Sequence, residues 1–321
     1  MKEAVFIRQN IAKWQNYERE FFNIKELTPD YLAEAYGELT SDLAFAQTHY
    51  AGSSIIPYLN GLTSRLHNEV YGNKRENMAR VVTFWTQEVP RAVWDGRKEL
   101  LLSLVIFLAS VLVGVVSELA DIDFARIMMG DDYVDMTINN IHAGNPVAVY
   151  AQDSDAMTMF LGIFFNNVKV AFYAFAAGIL TSIFTGMVLM LNGVMFGSFA
   201  AFFYRYGVLG TAMATVMLHG TIELSVVVVA GGAGIILGNG WLFPGTYSRL
   251  ESLKLSAKRG MKVAVGTVPL FFLAAFIEGF LSRHAEWPMA VKLTIIGFSA
   301  LLILFYYVFY PWSLHRNEET R

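Results

Sequence analysis

The sequence predicts an all-α fold: a polytopic helical membrane protein of about six spans behind an N-terminal cytoplasmic helical domain. Three observations predict it. Of 321 residues, 55% are hydrophobic and only 16% charged, against about 25% charged in ordinary soluble domains, and mean hydropathy is +0.43. Long apolar runs begin only after residue 98, and Lys and Arg are spread unevenly among the segments that join them. The same composition excludes whole classes. With a net charge of -3 and no basic tract, nothing points to nucleic acid as a partner. With no cysteine, disulfide frameworks, thiolate metal sites and cysteine nucleophiles are absent.

Residues 1–98 read as short amphipathic helices, with no apolar core of the kind a secretory signal carries. Thr28-Pro29-Asp30 is a helix start, Thr28 as cap and Pro29 in the first turn. Tyr31, Leu32, Ala35, Tyr36, Leu39 and Leu43 then recur at helical spacing, and Ile55, Leu59, Leu62, Leu66 and Val70 form a second stripe. Phe84, Trp85, Val93 and Trp94 suggest an interfacial helix bent near Pro90.

The membrane domain, 99–321, follows. Leu100–Ser117, Val168–Leu191, Val208–Gly238, Val263–Ser282 and Ala290–Tyr310 each approach the roughly 20 apolar residues that cross a bilayer. Gly193–Tyr204 is apolar but short. Residues 1–98 hold twelve of the 24 Lys and Arg, whereas 118–166 holds only Arg126 among Glu118, Asp121, Asp123, Asp131, Asp132, Asp135, Asp153 and Asp155. Segment 239–262 returns to basic character with Arg249, Lys254, Lys258, Arg259 and Lys262. By the positive-inside rule, 118–166 is extracytoplasmic, and the N-terminal domain, the 239–262 loop and both termini are cytoplasmic. Parity then demands an even number of crossings between Leu191 and Trp241. Either Gly193–Tyr204 is a short third span, giving six crossings, or it is re-entrant; the first is favoured.

Several motifs occur in a fixed order: Asn166-Asn167, Asn192-Gly193, His219-Gly220-Thr221-Ile222-Glu223-Leu224, Ala230-Gly231-Gly232-Ala233-Gly234, and Ala274-Ala275-Phe276-Ile277-Glu278-Gly279-Phe280. In order and spacing the chain resembles the stage II sporulation protein M family over roughly 80–321. Trp14, Tyr36 and Asp42-Leu43 resemble the helical extension of its stand-alone members. The resemblance implies an all-helical, multi-pass protein of a bacterial or archaeal inner membrane. The family's namesake holds peptidoglycan-degrading partners at the membrane during engulfment; the long N-terminal domain and acidic outer segment here depart from that short form.

Ionisable side chains within spans cost at least about 2.5 kcal/mol each and so mark sites. His219 and Glu223, four residues apart, share a helix face. Glu278 is the favoured third member, and Asn166, Asn167 and Asn192 lie near span ends. One reading is structural, a hydrogen-bonded cluster that fixes helix packing. A second makes His219, Glu223 and Glu278 ligands of a divalent metal such as zinc, or a proton site. Others are a transport path and hydrolysis with Glu223 or Glu278 as general base. Depth counts against the trio: His219 lies roughly 16 Å below the start of its run, Glu278 only roughly 6 Å from the end of its own.

Gly193-x-x-x-Gly197 and Gly234-x-x-x-Gly238, with Gly231 and Gly232, have the spacing of close helix packing and suggest a homodimer. Gly231-Gly232-Ala233-Gly234 lacks the Lys and Ser/Thr of a phosphate loop. The favoured function is non-enzymatic: an integral membrane scaffold or complex subunit with the lipid bilayer, envelope proteins and cytoplasmic proteins as partners. The alternatives are a transporter or channel subunit and a metal-dependent membrane enzyme.

Overall fold

The structure is a computed structural model that describes residues 2–21, 27–70, 78–148, 156–282, 284 and 286–319. Asp153 and Asp155 of the acidic segment, and the side chain of Val70, lie outside the described residues. The chain forms two compact units, Met1–Val81 and Val82–Arg321. The described residues contain helices and no strand.

The first unit is built by α1 (Glu3–Glu20), α2 (Pro29–His49) and α3 (Ile55–Val70). Thr28 caps α2 by accepting the Tyr31 N–H, with Pro29 in the first turn as its sequence requires. The two apolar stripes meet there: Ala35, Leu39, Leu43, Ile55, Leu59, Leu62 and Leu66 are buried with Phe6, Trp14, Tyr17 and Phe21 of the first helix. At its rim, aromatic donors meet carboxylates. Trp14 Nε1 donates to Asp42 at 2.8 Å, Tyr17 to Glu38 at 3.0 Å, Tyr58 to Glu18 at 2.9 Å and Tyr31 to Glu20. Withdrawal from water and the adjacent carboxylates push the hydroxyls of Tyr31 and Tyr58 up to about 12.

The second unit contains six helices long and apolar enough to cross a bilayer. α4 (Met78–Thr83), a π turn (Phe84–Glu88) and α5 (Val89–Asp95) lead into α6 (Arg97–Ala120). Near Pro90, where the sequence suggested a bend, the chain forms this π turn directly before the proline. Val89 N–H reaches back five residues to Phe84 O, and Pro90 has no N–H to offer. The released carbonyls of Trp85 and Thr86 accept from the hydroxyls of Tyr306 (2.8 Å) and Tyr310 (2.9 Å). α7 (Phe124–Met129) and α8 (Asp131–His142) follow, then α9 (Ala156–Ala177), α10 (Ser182–Arg205) and α11 (Leu209–Leu242). α12 (Arg249–Gly266), α13 (Val268–Phe276), a second π turn (Ile277–Leu281), α14 (Met289–Leu304), a third π turn (Phe305–Phe309) and α15 (Tyr310–Glu319) complete the unit.

Two span boundaries differ from expectation. The run Val168–Leu191 is not one span: it is the end of α9, a turn at 178–181 and the start of α10. Gly193–Tyr204 is neither short nor re-entrant; it is the second half of the 24-residue α10. Hydropathy could not see the turn because Gly178-Ile179-Leu180 is itself apolar. Backbone proximity reveals it, since a Cβ on Gly178 would stand 2.1 Å from Gly234 O. Asn166, Asn167 and Asn192 consequently sit within helices, not near span ends. The segment read as a 239–262 loop is largely helical, its second helix capped by Ser248 accepting from Glu251 N–H.

α11 is the axis. It packs against α6, α9, α10, α12, α13 and α14, and its residues are buried nearly all round from Val226 to Gly238. α6 has the inverse of a soluble pattern. Ser103, Phe107, Ser110, Gly114 and Glu118 face inward, while Leu101, Val105, Leu108, Leu112 and Val116 are exposed to where lipid would lie. Close packing follows from small residues. A Cβ on Gly197 would meet Val111 O at 2.1 Å, on Gly193 Phe107 O at 2.7 Å, and on Gly238 Ser182 N at 2.1 Å. Gly231 meets Leu189, Gly232 meets Leu100, and Gly234 meets Ala174 O at 2.5 Å. All six expected packing glycines thus contact helices of the same chain. Ser103 and Thr185 add cross-helix bonds to Val228 O (2.6 Å) and Ala174 O (2.9 Å).

Candidate functional site

Three elements converge near the end of the bundle that carries α7 and α8. The middle of α11 presents His219 and Glu223 on one face, as their four-residue spacing dictates. The π turn after α13 supplies Glu278, and Ser282 N–H closes that wider turn on Ile277 O. The extra residue in such a turn displaces side chains from the straight helical register, a device common at binding sites. One donor atom each from His219, Glu223 and Glu278 lies within 4.8 Å of the others. His219 Nε2 is 3.8 Å from Glu278 Oε2, and its Nδ1 shares a 3.1 Å hydrogen bond with Ser282 Oγ. Asn167 of α9 hydrogen-bonds Glu223. His219 is 4% exposed and Asn167 8%.

The depth mismatch expected from sequence comes from the length of α11. α11 has 34 residues, about 51 Å at 1.5 Å per residue, well over a 30 Å hydrocarbon core. Its first turns therefore overhang, and Ala212 packs with Phe202, Phe203, Ala125, Val134 and Val147 in a cluster shared with α7 and α8. Counting from Val208 overstated how deep His219 lies.

Beside the cluster lies a cavity of about 490 Å³ between α9, α10 and α11, roofed by Met128, Met129 and Tyr133. Its lining mixes polar residues, His219, Glu223, Asn166, Asn167 and Asn192, with apolar ones, Met195, Phe196, Phe199 and Leu224. Asn166 and Met195 are exposed, so it opens sideways between α9 and α10. The Asn192 amide donates to Val188 O of its own helix at 2.8 Å. A lining that mixes hydrogen-bonding and apolar side chains suits an amphiphile.

Sequence reasoning missed three polar groups. Lys292 on α14 is 4% exposed and its Nζ donates to Thr215 at 3.1 Å, one turn before His219. Its place near the start of the run Ala290–Tyr310 gave no signal of burial. Ser282 ended an apolar run and drew no attention. Glu118, read as one of the outer acids, is fully buried. It accepts from Ser198 at 3.1 Å and faces Arg205 at 3.6 Å, tying α6 to α10 and to the start of α7. Arg126 is held by Asp131 (3.1 Å) and Asp135 (2.6 Å), which push its guanidinium's proton affinity up.

Residues 103–283, which contain the cluster and the cavity, match the family model described as Stage II sporulation protein M. Residues 4–72 match a second model, described only as a domain of unknown function. No curated protein and no solved structure matches the chain.

Proposed function

The chain belongs to the stage II sporulation protein M family, and on that premise we propose that it is a scaffold or subunit of a complex in the cell's inner membrane. One observation supports this most: helical modules outside the spans are built as fixed surfaces. The three-helix unit has a core of its own. α7 and α8 are docked on the bundle by Ala125 and Val134 against Phe202 and Phe203. A loop with only a connecting role needs neither. Arg91, Arg249, Lys258, Arg259 and Lys262 lie at or toward one end of the membrane unit, and Asp121, Asp131, Asp132 and Asp135 mark the other. The basic end and the N-terminal unit face the cytoplasm in this reading, with both termini inside after six crossings.

Because the chain has no cysteine, single cysteines report topology cleanly. Ser41→Cys should resist a membrane-impermeant maleimide in intact cells and Asp132→Cys should react; the reverse would overturn the orientation. Affinity purification under mild cross-linking should yield stoichiometric partners from the full chain. Deletion of 2–70 should remove the cytoplasmic ones while the protein still inserts. A full chain that purifies alone would end the scaffold reading. A homodimer is part of the proposal but must use faces other than the six glycines, and a monomeric mass in nanodiscs would refute it.

The cavity favours a second reading, a transporter, channel subunit or enzyme acting on a lipid-like molecule. Gly220 lines it and has room for a Cβ. Gly220→Leu should displace a co-purifying amphiphile seen by native mass spectrometry, and leave protein partners in place.

A further inference from the structure

We infer that His219, Glu223 and Glu278 bind one divalent transition-metal cation, with zinc the best fit to the donors, at the head of the bilayer-facing cavity. This goes beyond a partner-holding role, which needs no buried ion. The donor set is one imidazole nitrogen and two carboxylate oxygens, each a ligand type that zinc accepts, and the two-carboxylate-plus-histidine set of a catalytic-type site. A cation bonded at about 2.0–2.1 Å to each ligand in tetrahedral geometry sets donors roughly 3.3 Å apart. The 3.8 Å from Nε2 to Glu278 Oε2 is too long for a hydrogen bond and within a small contraction of that edge.

The surroundings have the form of outer-shell support. In the tautomer where Nδ1–H donates to Ser282 Oγ, the Nε2 lone pair is turned toward Glu278. This is the arrangement by which metal-bound histidines are oriented. Asn167 holds Glu223 in the same way. Two carboxyl groups stand side by side in the cluster, and a dication bound there displaces their protons and meets both carboxylates at once. Three protein ligands leave a fourth position, and His219 and Glu223 both border the cavity, so an oxygen of water or of an amphiphile's headgroup can complete the shell.

The test uses the full-length protein in detergent and in nanodiscs. After loading with Zn²⁺ and desalting, mass spectrometry should find about one zinc per chain, and Co²⁺ loading should give the intense visible absorption of a tetrahedral centre. His219→Ala and Glu278→Gln should lose zinc affinity by roughly 100-fold or more. Ser282→Ala, which keeps every ligand, should lose about tenfold. Zinc should raise the melting temperature of the wild type and not of Glu278→Gln. Glu278→Gln preserves volume, so its elution profile shows whether lost binding reflects a lost fold. Wild-type protein that retains neither zinc nor cobalt at micromolar free metal would overturn the site. So would His219→Ala binding zinc as tightly as the wild type.

Discussion

In the three-helix unit, a Cβ placed on Gly37 or Gly61 meets nothing within 4 Å. In the membrane unit, the same atom on Gly197 or Gly238 would stand 2.1 Å from another helix's backbone. Polar groups differ likewise. The first unit sets Glu18, Glu20 and Glu38 at its rim, where tyrosine hydroxyls reach them and water covers the rest. The second buries Glu118 completely and encloses His219, Glu223 and Glu278 together. Water drives the first unit's large side chains inward and tolerates loose helix spacing. In lipid that drive between helices is absent, so small residues inside, large ones outside and buried polar ties hold the helices together.

The largest test of this contrast is Gly197→Leu. Overpacking a backbone contact should cost about 3 kcal/mol and abolish monodisperse purification, whereas Gly61→Ala should stabilise its unit by about 0.5–1 kcal/mol. Equal effects would break the comparison. Next comes Glu118→Ala, which strands Ser198 and part of Arg205 and should cost about 2 kcal/mol. Its counterpart Glu38→Ala sits at a wet rim and should cost under about 1 kcal/mol.

Alkaline pH probes the rim of the first unit. Tyr31 and Tyr58 titrate near 12 in the folded state, above the ordinary value of 10.0. Their stabilising bonds are therefore complete below pH 10 and lost as pH rises through 12. The difference in phenolate absorbance between the wild type and Tyr58→Phe should rise late, together with loss of the first unit's helicity. Ser103→Ala, which removes one cross-helix bond, should cost about 0.6 kcal/mol in thermal unfolding of the membrane unit.

The fold was legible wherever solvent contrast writes a pattern. Thr28-Pro29, the stripe through Leu39 and the stripe through Leu59 lie where periodicity places them. The number of membrane helices was legible from run length and basic-residue parity. The α9–α10 turn was not, because Gly178-Ile179-Leu180 is itself apolar, and what marks the turn is the close approach of Gly178 to Gly234. At the candidate site, the four-residue spacing put His219 with Glu223. Their proximity to Glu278 depends on a π turn and on the overhang of α11, neither of which has a hydropathy signature. Glu118 was misread because a charged residue near the end of an apolar run looks the same whether it faces water or a neighbouring helix.

The tyrosine clasp on the first π turn has a consequence for biosynthesis. Tyr306 and Tyr310 reach carbonyls that lie 221 and 224 residues earlier in the chain, and Glu318 meets Arg91 across 227. At about 5–20 residues per second, the ribosome takes roughly 10–45 s to deliver the tyrosines after the segment that awaits them. For that interval the Trp85 and Thr86 carbonyls must be served by water or headgroups, so the entrance to the first span stays open. Its closure is among the last events of synthesis, and a nascent chain stalled before α14 would still display it.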